Sequence, residues 1–202
     1  MLKEDLDLFS KSGIKIPNYL IIKPNEEFKL FNAKKYVVKA LGEKLLHKSD
    51  MGAVKVNVER EDVEVEMRKL RNRLGKNVEA FLIQEMAEKG TEIIIGAKKD
   101  AQFGDVVLFG LGGIHVELYK DVSLRLCPVT LDDAYEMIDE TKASVILNGF
   151  RGSPQIDRRM VAQLIMKVCQ IMQKNPDIKE IDLNPVILYS RGYSAVDIRV
   201  IR

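Results

Sequence analysis

Apolar residues recur along this chain in two rhythms, one near the helical period and one of short runs bounded by polar or glycine-rich breaks. Leu2, Leu6 and Phe9 fall at near-helical spacing, and Gly13 stands where a helix end favours glycine. Residues 19–22 and 36–40 read as short strands, the second carrying Lys39. Between them, Asn25 is placed to cap a short helix through about Phe31. Within the charge-dense stretch 60–74, the interleaved Val63, Val65, Met67, Leu70 and Leu74 predict a surface helix that ends at Gly75. Residues 80–86, 91–97, 106–109 and 122–126 read as strands, the last with Ser123 and Arg125 on one face. Thr130 followed by Asp133 has the form of a helix start, with the helix running to about Lys142. Met160, Val161, Leu164, Ile165, Val168, Ile171 and Met172 predict the strongest amphipathic helix, over 156–174. Two strands, 180–188 and 193–200, follow, with Arg191 and Gly192 in the turn between them.

Composition narrows the class without naming a chemistry. A length of 202 residues suits one large domain or two joined lobes, and 46% hydrophobic content is enough for a substantial core. The formal charge of +2, from 32 basic and 30 acidic residues, gives no electrostatic case for nucleic acid or an anionic membrane. No run approaches the roughly 18 apolar residues of a membrane span. The acidic start, Met1 to Asp5, lacks a secretory signal's apolar stretch, so a cytoplasmic protein is expected. Cys127 and Cys169 lie far apart among apolar residues and read as buried free thiols.

Several stretches carry candidate chemistry, each with a plain alternative. An apolar strand at 106–109 breaks into Gly110, Gly112 and Gly113, which is either a tight turn or a backbone opened to a ligand. Lys39 is either a solvated edge lysine or a cation facing a phosphate. The segment LLHKSDMGAVKV at 45–56 places Lys48, Ser49 and Gly52 in a loop, where they could cradle phosphate or form a solvated hairpin tip. Its His47 is either a structural group or a nucleophile. Asn184 and Asp197 could face each other across two antiparallel strands as oxygen ligands for Mg²⁺, while Asn184-Pro185 also suits an ordinary turn.

Taken in order, these motifs resemble the ATP-grasp domain of the NDP-forming acyl-CoA synthetases, and in particular the β subunits of ADP-forming acetate–CoA ligases. The resemblance rests on LLHKSDMGAVKV at 45–56, LIQEM at 82–86, EIIIGAKKDAQFG at 92–104, FGLGGIHVE at 109–117, KDVSLRLCP at 120–128, GFRG at 149–152, EIDLNP at 180–185 and AVDIR at 195–199. It implies an α+β fold of two mainly antiparallel lobes, a smaller one over about 18–84 and a larger one over about 85–202 with the N-terminal helix, gripping a nucleotide between them. By that resemblance Lys39, Lys48, Gly52 and Ala53 meet the phosphates, Glu85 and Met86 the purine and ribose, and Glu92, Gly112 and Gly113 further parts of the nucleotide. Asn184 and Asp197 would hold Mg²⁺, and Arg125 would add positive charge at the transferring phosphoryl group. The expected reaction passes that group between ADP/ATP and a phosphohistidine on a partner α subunit that also binds CoA, in an α2β2 assembly. His47 matches a position proposed as a phosphoryl carrier within the β subunit.

The chain departs from the family pattern in places. Ala53 stands at a usual glycine, His115 at a usual apolar or aromatic position, and 41–44 lacks a usual Ser-Pro. The acyl group is expected to be chosen by the α subunit, so succinyl-like, branched-chain and aryl ligases remain alternatives to an acetate enzyme. A nucleotide-binding regulatory module of a protein acetyltransferase is the alternative outside ligases.

Overall fold

The computed structural model describes residues 2–42, 45, 52–112, 121–150 and 154–202. His47, Lys48, Gly113 and His115 lie outside the described residues, as do Arg151 and Gly152 of the GFRG motif. The chain divides into two compact units, one of Pro17–Ala87 and one of Met1–Ile16 with Glu88–Arg202.

The first unit is a four-stranded antiparallel sheet backed by one helix. Its strands are β1 (Tyr19–Ile22), β2 (Tyr36–Leu41), β3 (Val54–Val58) and β4 (Ala80–Glu85), in the order β1-β4-β2-β3. Helix α2 (Val63–Leu74) packs on one face, after α1 (Leu2–Lys11) of the other unit in chain order. Period-two alternation decides which residues face it. Tyr36, Val38, Ala40, Phe81 and Ile83 are buried in a core with Val63, Met67 and Leu70. Lys39 and Leu82 are paired on the opposite face, as are Val37 and Gln84. As expected, α2 stops at Gly75, whose φ of 61 combined with ψ of -136 is a conformation that favours glycine.

The helix expected over 25–31 is absent. Asn25 sits in a turn with φ +69, and the chain that follows packs Phe28, Leu30 and Phe31 onto the core without helical hydrogen bonds. Side chains satisfy its carbonyls instead. Tyr36 Oη donates to Phe31 O at 2.5 Å, and Arg60 donates to Phe31 O and Leu30 O at 3.1 Å each.

The second unit is a larger antiparallel sheet made of β5 (Thr91–Asp100), β6 (Gly104–Leu111), β7 (Val122–Leu126), β8 (Glu180–Leu188), β9 (Tyr193–Ala195) and β10 (Ile198–Ile201). Its strands run β10-β8-β5-β6-β7, with β9 also paired to β8. One face carries α3 (Leu131–Asp139) and α5 (Arg158–Lys174), which pack on each other and on β5 to β8, while α4 (Ala143–Leu147) packs on α3. Ile93, Ile95, Val107, Phe109, Ile181 and Leu183 point into this layer and are buried. Thr130 makes the expected capping box with Asp133, and Asp157 caps α5 by accepting from the Arg159 and Met160 N–H groups. The expected helix to Lys142 ends at Asp139, and α4 follows as a separate turn and a half.

Two further expectations change. The single strand expected at 193–200 is two, because Val196 and Asp197 leave the ladder between β9 and β10. The cysteines are not free thiols. Cys127, just past β7, and Cys169, in the buried stripe of α5, form a disulfide with a Cα–Cα distance of 5.6 Å. A separation of 42 residues hid the pairing, because it is the packing of α5 on the sheet that brings the two together.

Candidate functional site

Register on β8 and β10 builds the oxygen-rich part of the site. Asp182 and Asn184 are two residues apart on β8 and therefore share a face. Asp197 lies opposite Asn184, whose N–H donates to Asp197 O at 3.2 Å. The β5–β8 register shifts between Ile93 and Ile95, beside Asn184 and Pro185, and Pro185 has no N–H to give to the ladder. A bulge of this kind re-aims side chains, and here it lies at the expected metal pair.

The sequence reading missed Asp182. Its carboxylate is partly buried, and Oδ1 is buried with no hydrogen-bond partner. Burial pushes its pKa up from the ordinary aspartate value, the negative charges of Asp197 and Glu180 push it further, and Arg199 opposes them. An unpartnered carboxylate oxygen in a negative field is what a cation would relieve. Among the described residues no three His, Cys, Asp or Glu side chains converge into a metal cluster. The available donors are two carboxylates and one amide oxygen, which suits Mg²⁺, an ion that leaves positions for water and substrate phosphates. The signal was present in EIDLNP, where Asp182 stands one strand period before Asn184.

The same sheet face holds a cavity of about 480 Å³. Ile94, Gly96, Leu108 and Leu124 give it an apolar floor, and Asp182 and Lys98 contribute charge. Leu124, which lines it, and Leu126, farther along the same strand, are each 54% exposed.

At the other end of β5, Glu92 and Gly112 meet directly, since the Gly112 N–H donates to Glu92 O at 2.8 Å. A Cβ on Gly112 would stand 2.7–3.0 Å from the Ile93 backbone. Close backbone packing therefore requires this glycine whatever lies nearby.

Arg125 is held by the acids that follow β7. With Ser123 it faces α3, where Glu140 accepts from Ser123 Oγ at 2.5 Å and from Arg125 Nη1 at 3.0 Å. A second Arg125 nitrogen pairs with Glu140, and Glu136 lies 3.5 Å away. The arginine and the serine hold the Glu140 carboxyl down at about 2. Arg125 is thus paired with Glu140 on the helix-covered side of β7. Leu124 and Leu126, not Arg125, present themselves on the open face.

In the smaller unit, Lys39 is 7% exposed on the sheet face away from α2, opposite Leu82 and Val54. Ala53 is fully buried, and its carbonyl accepts from the Ala40 N–H at 2.8 Å, which ties the loop's end to the strand that carries Lys39. At the end of β4, the Glu85 N–H donates to Asn18 O and the Met86 N–H to Lys35 O. Asn18 Nδ2 also donates to the Glu85 carboxylate at 2.9 Å. Both of these N–H groups are therefore occupied. Among the described residues, the next N–H without such a bond is that of Ala87.

Comparison with known proteins accounts for this architecture. A family profile described as an ATP-grasp domain matches residues 3–201. The β subunit of acetate–CoA ligase [ADP-forming] I of Pyrococcus furiosus is 39% identical, over 98% of this chain and 88% of that protein. The acetate–CoA ligase [ADP-forming] I of Archaeoglobus fulgidus is 40% identical over 82% of this chain, which spans only 25% of that longer protein. Among solved structures, acetyl-coenzyme A synthetase 1 of Candidatus Korarchaeum cryptofilum superposes with a TM-score of 0.82 at 36% identity, over 98% of this chain and 90% of that chain. That structure holds coenzyme A and Mg-AMPPCP, with its phosphohistidine segment pointing towards the nucleotide-binding site. Two antiparallel sheets with few helices and a profile match from end to end lead to one assignment: the chain has the ATP-grasp fold and belongs to the ATP-grasp family.

Proposed function

We propose that this chain is the nucleotide-binding β subunit of an ADP-forming acyl-CoA synthetase. It passes a phosphoryl group between ADP/ATP and a phosphohistidine on an α subunit, for the net reaction acyl-CoA + ADP + phosphate ⇌ acid + ATP + CoA. The observation that carries the proposal is the oxygen group of Asp182, Asn184 and Asp197, with its unpartnered carboxylate oxygen, in a chain that aligns with a β subunit over 98% of its length. A binding module without turnover has no need of such a charge-hungry group.

Transfer of a phosphoryl group asks little covalent chemistry of the protein. It asks for alignment and for neutralised charge. In the proposed direction the P–N bond of phosphohistidine breaks, and a β-phosphate oxygen of ADP forms the new P–O bond. Lys39, partly withdrawn from water on its sheet face, places a positive charge on the phosphates. Gly52 and Ala53, with Lys48, are proposed to cover them. The Ala87 N–H, the first open donor past β4, reads the purine edge, while Glu85 and Met86 keep the chain there rigid through Asn18 and Lys35. Glu92 and Gly112 are proposed as further nucleotide contacts.

Bound Mg²⁺ would supply charge neutralisation across the phosphates, and Asn184 and Asp197, joined by Asp182, would hold it. His47 is proposed as a transient phosphoryl carrier or a hydrogen-bonding guide, since a neutral imidazole nitrogen is a competent nucleophile near pH 7. Arg125, paired with Glu140 beside α3, is proposed to add positive charge towards the transferring phosphoryl group. The α subunit carries the CoA site and chooses the acyl group, and α2β2 is the proposed assembly.

Calorimetric titration with ADP, with and without Mg²⁺, tests the site. Wild-type chain should bind Mg·ADP more tightly than ADP alone, and Asp197→Ala should erase the difference. An unchanged Mg²⁺ dependence in that variant contradicts the metal assignment.

A further inference from the structure

The end of the loop after β2 carries a contact that no sequence motif marks. Gly52 has φ +62, in the left-handed region where a side chain is strained. A Cβ built on it would lie 3.0 Å from Nη2 of Arg73 and 3.2 Å from both Cζ and Nη1. Three guanidinium atoms at nearly equal range place the group broadside to the space that a Gly52 side chain would occupy, rather than aiming one nitrogen at it. A planar guanidinium in that pose keeps its N–H donors at its rim, turned away from the surface beneath.

Two other basic residues of α2 are held by side-chain partners. Arg71 is held by Asn25 Oδ1 at 2.6 Å, and Lys69 pairs with Glu66 at 2.7 Å. Among the described residues Arg73 has no hydrogen-bond or ion-pair partner. Gly52 is followed by buried Ala53, whose carbonyl is bonded to Ala40, and then by Val54, which pairs with Lys39. The guanidinium therefore rests on a residue two positions from the partner of the phosphate-facing lysine.

We propose that Arg73 is a positioning residue for the phosphate end of the nucleotide site: its flat face holds Gly52 in the left-handed conformation and so sets the loop's end relative to Lys39. This rests on the nucleotide reading proposed for the same site. Lysine cannot substitute, because its compact ammonium offers no plane to stack. Gly52 and Arg73 should also act as a unit, so their substitutions should not add.

The test is calorimetric titration of the whole chain with Mg·ADP and with AMP, which lacks the β-phosphate. Arg73→Ala and Arg73→Lys should each weaken Mg·ADP by about tenfold, the equivalent of one contact, and leave AMP within about twofold. Gly52→Ala should weaken Mg·ADP similarly, and adding Arg73→Ala to it should cause no further loss. Circular dichroism and melting without nucleotide confirm that each variant folds. Full Mg·ADP affinity in Arg73→Ala would show an arginine merely lying on the surface, and full affinity in Arg73→Lys would replace stacking by charge alone. Equal losses for AMP and Mg·ADP would show a general effect on the unit, and additive losses would uncouple the pair. Each of these overturns the proposal while the site reading stands. Only a wild-type chain that binds neither ligand overturns both.

Discussion

Asp182 shows what a single residue can reveal that its motif does not. In EIDLNP, Asn-Pro makes Asn184 conspicuous, whereas Asp182 reads as one acid among many until folding brings it within the field of Asp197. Its buried, unpartnered oxygen exists only in the folded chain. Because folding raises its pKa, the folded protein binds this proton more tightly than the unfolded chain does. That contribution is complete below the ordinary aspartate value of about 4 and is lost as pH rises through the raised value. Melting without Mg²⁺ should therefore show wild type losing stability over that window relative to Asp182→Asn. Adding Mg·ADP at neutral pH should reverse the order, stabilising wild type and not the variant. Parallel pH profiles for the two proteins would contradict the account of the carboxylate. Arg125 is the opposite lesson. Alternation correctly placed it with Ser123, but which face of β7 meets the helices depends on packing far along the chain, and that face belongs to Glu140.

Among the elements, those with a strong period and a chemical stop were legible. The helix α2 with Gly75, the Thr130 capping box and the long stripe of α5 follow from local rules. The helix expected after Asn25 fails because tertiary partners, Tyr36 and Arg60, satisfy the carbonyls that a helix would have used. The Cys127–Cys169 bond escaped for a similar reason, since it joins elements separated by 42 residues. Closing a loop of that length removes entropy from the unfolded chain worth about 3–4 kcal/mol. Reduction, or Cys127→Ala with Cys169→Ala, should lower the melting temperature of the larger unit by roughly 10 °C. Scanning calorimetry with and without dithiothreitol measures this. A transition unmoved by reductant and by both substitutions would mean that the bond does not restrain the fold.

For the whole molecule, the ordered series of motifs carried the family assignment, and the strand orders of the two sheets supply its architecture. What remained illegible was the division of labour among charged groups, because sequence gives a residue's neighbours along the strand and not the carboxylates opposite it. The central claim is that this chain completes a phosphoryl relay with a partner. Its most direct measurement combines the chain with an α subunit of the ADP-forming type and follows ATP formation from acyl-CoA, ADP and phosphate. The account predicts ATP that requires both subunits and Mg²⁺ and is abolished by Asp197→Ala. A complex that forms and binds Mg·ADP yet makes no ATP from any of several acyl-CoA substrates would contradict it.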